Sequence, residues 1–236
     1  MHVNDLRGTI AIAGGSLIQH LVVRSEALGS SQPQRLDALN IQMKDWQSTN
    51  GTEHRMPALR KENLTKDNWA TLNGKLVKAA NTRALLPFLD NLANRYFVGH
   101  GAFNSSVRKV FASLEQIQRL MYTSEMFFTD EAKEEFRIAH ERLGRHWQHL
   151  RHLSSQLGYN FWHISPKVHY TLHFVSQARL INPRFVQNYS EESLIGRVTK
   201  VWSASANGPY AASIQLTTLA RLWTGLELRM SYDCGM

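Results

Sequence analysis

Apolar residues recur every three or four positions along most of the chain, the spacing of one buried helix face rather than the alternation of a strand. In 34–49 the stripe is Leu36, Leu39, Met43 and Trp46. Leu85, Leu86, Leu89, Leu92, Ala93 and Tyr96 repeat it over 81–97, with Pro87 tolerated near the first turn or as a kink. The cleanest period is Val107, Val110, Phe111, Leu114, Ile117 and Met121. From a Thr129 cap followed by Asp130 and Glu131, a further helix runs with Phe136, His140, Leu143, Trp147, Leu150 and Leu157 on one face and Gly158 at its end. Another spans about 167–180 and stops at Asn182-Pro183. Ser190 caps a helix with Leu194, Val198, Val201 and Trp202 inward, and 211–230 is the last.

Between these stretches, "GTEHRMP", "NWATLNGK", "VGHGAFN", "YNFWHISP" and "ANGPY" are expected to be turns or extended connections. "TIAIAGGSLIQHLVV" over 9–23 is apolar but carries Gln19 and His20, so it is too short and too polar to span a bilayer, and it lacks a signal peptide's basic cluster and cleavage pattern. A buried helix is expected there. The fold class is therefore mainly α, a multi-helix domain, with no internal repeat and no membrane partner.

Charge changes the picture more than composition does. Lys and Arg number 27 against 19 Asp and Glu, a formal net charge of +8, which favours polyanionic partners although the charges are dispersed. The lone cysteine, Cys234, allows no intramolecular disulfide and points to an intracellular setting.

Two histidine groupings invite a metal reading. His169 and His173 in "SPKVHYTLHF" have the i, i+4 spacing of helical zinc ligands, but the residues between them are Tyr170, Thr171 and Leu172, without the glutamate of a zinc-protease motif. They are read as structural. In "HERLGRHWQHLRH", Arg142, Arg145 and Arg151 interleave His140, His146, His149 and His152, so a basic face that meets phosphate or solvent fits better than a cation site.

Several stretches, in order, resemble the C-terminal half of large RNase H-like DDE transposases of the Kyakuja-Dileera-Zisupton-like, divergent protist type: "MHVNDLRGTIAIAGGSLI", "NGKLVKAANTRALLPFL", "QIQRLMYTSEMFF", "FWHISPKVHYTLHFVSQARLINPRF" and "YSEESLIGRV". The resemblance implies a truncated RNase H-like fold: 1–33 a remnant of the catalytic core, 34–160 the helical insertion, and 161–236 the C-terminal helices bearing the third acid. Met1-His2 then matches the dipeptide after the family's second acid, and Glu192 matches its third, with His169 and His173 packing and orienting the preceding helix. Strand transfer in the family needs carboxylates around two Mg ions. This chain would supply one, so the resemblance implies an inactive fragment, catalytic only within a longer chain, and nuclear.

Helical periodicity, however, puts Glu191 rather than Glu192 on the apolar face with Leu194 and Val198, about 100° away. Residual binding to double-stranded DNA is expected through Arg145, Lys167, Arg179, Arg184 and Arg197. Loss of a sheet beneath 9–23 would leave apolar surface exposed and favour a missing N-terminal half or self-association as partner. The alternative function is a noncatalytic α-helical protein-interaction module.

Overall fold

A computed structural model describes residues 5–51, 56–66, 68–73 and 79–186. Contacts divide the chain into Met1–Val186 and Gln187–Met236, and the second unit lies outside the described residues. With it lie the two helices expected after Ser190, and also Glu191, Glu192, Arg197 and Cys234.

The first unit is mainly helical, as the periodicity predicts. Its helices are α1 (Asp5–Arg24), α2 (Gln32–Asn50), α3 (Ala79–Tyr96), α4 (Ala102–Thr123), α5 (Asp130–Gln156) and α6 (Pro166–Ala178). The segment expected to be a loop near residue 70 contains a minimal antiparallel pair, β1 (Thr65–Lys66) with β2 (Trp69–Ala70). Two residues per strand are too few for alternation to register in the sequence.

Local chemistry sets the helix ends. Ser31 caps α2 through a reciprocal capping box with Gln34, with Pro33 in the first turn. Thr129 accepts from the Ala132 amide at the start of α5, and Ser165 accepts from Val168 at the start of α6. Gly158, at φ +72°, turns the chain after α5. Leu157 consequently falls outside the helical register and is 59% exposed, whereas sequence spacing placed it on the buried face. Buried Ser154 closes that stripe instead.

The helix α1 is the hub. Residues from Thr9 to Ile18 are buried, as are Leu21 and Val22, and the helix meets α2, α3, α4, α6 and β2. The exposed apolar face expected if a covering sheet were lost is not there, because other helices and the segment after β2 cover it. The Leu72 amide donates to the Ala11 carbonyl at 2.9 Å, so the segment after β2 lies directly on a helix. Thr9 and Thr171 hydroxyls meet at 2.7 Å in the buried α1–α6 contact.

Behind this, Trp162 is fully buried with φ +56°, an unusual conformation for a bulky residue that costs about 1–3 kcal/mol. Three contacts hold it there. Its amide donates to Ser16 Oγ at 2.8 Å, its carbonyl accepts from Trp147 Nε1 at 3.1 Å, and its ring stands edge-on to Trp147 and Phe111.

At the other end, Asn182 is fully buried and its Nδ2 donates to the carbonyls of Met121, Ser124 and Glu125, where α4 runs out. Its amide donates to Met126 O, and its Oδ1 accepts from the Arg184 amide at the start of the 3-10 turn Pro183–Val186. Asn182→Ala would strip three carbonyls of a shared donor. A stability loss of about 2–3 kcal/mol is expected, read as a lower urea midpoint with unchanged slope.

Candidate nucleic-acid interface

In α5 the core stripe consists of Phe136, Ala139, His140, Leu143, Trp147, Leu150 and Ser154. Helical geometry then turns residues 142, 145, 146 and 149 away from that core, along the flank that adjoins α4. Arg145 and His149 are exposed, and Arg142 and His146 are half-buried. From α4, Ser106 reaches across to place its Oγ 3.1 Å from His146 Nδ1, which fixes the imidazole in the seam between the helices.

The electrostatics of that imidazole report its surroundings. Burial holds His146 below the ordinary histidine range, and Lys109, Arg145, His149 and Arg142 push the same way. Four basic side chains thus act on one ring, and among the described residues no carboxylate does. Among the described residues, the ion pairs lie elsewhere: Arg137 with Glu134 and Glu141, Lys133 with Asp130, Arg119 with Glu135, and Arg60 with Glu62. Among the described residues, no carboxylate forms an ion pair with Lys109, Arg142 or Arg145. From Arg142 to Arg145 to His149 the steps cover about 10 Å of helix axis, the rise of about three phosphates of one duplex strand.

Among the described side chains, the expected DNA contacts Arg184 and Arg179 are not drawn into this group. Arg184 is committed to the fold: its guanidinium lies 4.8 Å from the centre of the Tyr122 ring and donates to the Tyr122 carbonyl. Arg179 is exposed at the end of α6. Lys167 is in the first turn of α6, and Arg197 lies outside the described residues. Arg151, which the sequence groups with Arg142 and Arg145, turns to the far side of α5 and covers Trp69, whose other contact is a stacked His163 at 4.3 Å. Lys109 was missed in the sequence because it sits on another helix, and only the α4–α5 pairing joins it to the group.

His169 and His173 do not pack under α6, the orienting role the resemblance implies. Val168, Thr171, Phe174 and Ala178 form its buried stripe, and both imidazoles are exposed on the opposite side. The histidine that packs against Phe174 is His140, whose Nδ1 lies 2.8 Å from the Phe136 carbonyl.

For the Mg expectation, Glu192 and its alternative Glu191 lie outside the described residues, and among the described residues no three His, Cys, Asp or Glu side chains converge as a metal-binding group. No step of strand-transfer chemistry is derived from this unit. Asp90 and Glu115 do come near each other across α3 and α4. Burial raises both carboxyls above the ordinary range, and for Glu115 the Asp90 charge adds to it. Among the described residues no helix is long and apolar enough to cross a membrane. No family model, curated protein or solved structure matches the chain.

Proposed function

We propose that this helical unit binds nucleic acid, double-stranded DNA in the first instance, through the α4–α5 face formed by Lys109, Arg142, Arg145 and His149 around His146. The observation that carries the reading is the set of basic groups acting on one half-buried imidazole in the α4–α5 seam, with no opposing carboxylate among the described residues. Phosphate contacts of this kind position a protein on a duplex without reading sequence.

In this reading the protein is a transposase-derived binding fragment: the face lies within 34–160, the stretch that resembles the helical insertion. Support for that descent is the ordered resemblance alone. Catalysis would require carboxylates beyond this unit, with Glu192 or Glu191 the acid this chain would contribute.

The test is the salt dependence of binding to a short duplex of arbitrary sequence. With about four phosphates neutralised, the logarithm of affinity falls against the logarithm of salt with a slope of about −3.6, roughly a hundredfold loss between 50 and 200 mM. An affinity that does not change with salt would sink the nucleic-acid reading. A protein-interaction module would then take its place, favoured by the exposed Met126, Phe127, Leu180 and Phe185 near the Asn182 junction.

A further inference from the structure

The strongest unassigned feature is the histidine pair on α6. His169 Nε2 and His173 Nε2 lie 3.1 Å apart with ring centres 4.7 Å apart and planes nearly perpendicular. Both side chains are exposed. The other histidines with described contacts are engaged differently: His20 stacks on Phe103, His140 meets the Phe136 carbonyl, His146 meets Ser106, and His163 stacks on Trp69. In the 169–173 pair, by contrast, two ring nitrogens point at each other. Only one proton fits between them, so one ring donates and the other accepts.

That separation is also the bite of a chelate. Zinc–imidazole bonds of about 2.0–2.1 Å, meeting at angles between octahedral and tetrahedral values, set the two nitrogens about 2.9–3.4 Å apart. The observed 3.1 Å falls inside this span. The helix makes the spacing rigid: Ser165 caps its start, and Val168, Thr171 and Phe174 anchor its inner side. Among the described residues no third His, Cys, Asp or Glu joins the pair, so the protein offers two imidazole nitrogens and leaves the other positions to water or a partner. Such a set selects borderline ions over Mg or Ca, which prefer oxygen.

We propose that His169 and His173 form a two-nitrogen site for a borderline first-row divalent ion, zinc or nickel, with water or a partner's side chain in the remaining positions. The ring that donates in the free protein shifts its proton to Nδ1, and both Nε2 lone pairs then turn to the metal. This site is separate from the acidic Mg chemistry that the transposase resemblance implies.

The experiment is a Zn(II) titration of the full chain at neutral pH, by calorimetry and by thermal unfolding, beside His169→Gln and His173→Gln. Both side chains are exposed, so each variant keeps the wild-type fold. Zn(II) is expected to raise the wild-type midpoint by about 3 °C or more, and each single substitution is expected to remove one equivalent of binding and the whole shift. Mg(II) at the same concentration should do nothing. Unchanged stoichiometry in both variants would overturn the site, as would loss in one variant alone or an equal response to Mg(II).

Discussion

Replacing Gly15 with alanine is expected to destabilise the protein by about 3 kcal/mol or more, measured as a fall in the urea midpoint. A Cβ at this position would lie 2.3–2.5 Å from the Thr71 backbone, where ordinary contact begins near 3.4 Å. Backbone cannot step aside as a side chain can. The Thr71 segment is fixed on both sides, by Thr71 N–H to Leu64 O and by Leu72 N–H to Ala11 O. Alanine's better helix propensity returns about 1 kcal/mol, too little to reverse the sign. Gly14→Ala is the internal comparison. Its Cβ would meet Leu89 and Leu72 methyl groups at 2.8 and 2.9 Å, the mobile ends of side chains, so a smaller loss is expected.

Acid is expected to destabilise the protein from about pH 6.5 downward, before most carboxylates titrate, through two buried imidazoles. Burial lowers His140 to about 4, against the pull of the Phe136 carbonyl. Burial also lowers His20 to about 4, with Arg24 adding to it, in a ring stacked on Phe103 beside Phe97. An unfolded imidazole titrates near 6.5. Between those values the unfolded chain binds protons that the folded one refuses, so stability is complete above about pH 6.5 and is lost as pH falls toward 4. Each group contributes about 3 kcal/mol over that window. Asp90 and Glu115 act in the opposite direction, because their raised carboxyls make the folded state the better proton acceptor at lower pH.

His140→Phe separates the two imidazoles. The site is lined by Phe136 and Phe174, so the substitution keeps an apolar environment and removes one titration. Its stability should fall about half as steeply between pH 6.5 and 4 as the wild type's, followed through Trp147 and Trp162 fluorescence. Equal slopes would show that His140 does not titrate as its burial demands.

The helices were legible in the sequence because periodicity survives wherever one face is buried and the other wet. The α4 stripe from Val107 to Met121 and the Thr129 cap are of this kind. Features that depend on what approaches from outside the element were not. Gly15 reads as a weak helix residue until the Thr71 backbone is found against it. Trp162 reads as one more aromatic in an extended segment, yet it adopts a left-handed conformation because Ser16 and Trp147 hold both of its peptide groups. Asn182 was legible as a stop before proline, whereas its side chain's three carbonyl partners come from the end of α4 and the residues just after it, some sixty positions earlier.

The candidate face was half legible. Alternating Arg and His in "HERLGRHWQHLRH" suggested a basic surface, but the helix sends Arg151 to Trp69 and retains Arg142 and Arg145. Lys109 joins only through the antiparallel pairing of α4 and α5. Arg184 looked equivalent to Arg145 in one dimension. In three, it is held by Tyr122.

The most direct measurement is duplex affinity at 50 mM salt for Lys109→Ala/Arg142→Ala/Arg145→Ala against a control with the same charge change on the hairpin side, Arg60→Ala/Lys61→Ala/Lys66→Ala. The face variant is expected to lose about tenfold or more in affinity and to flatten the salt slope by about 3, while the control changes by less than about threefold. Equal losses in the two variants would mean that net charge alone attracts the duplex, and would contradict a built interface on α4 and α5.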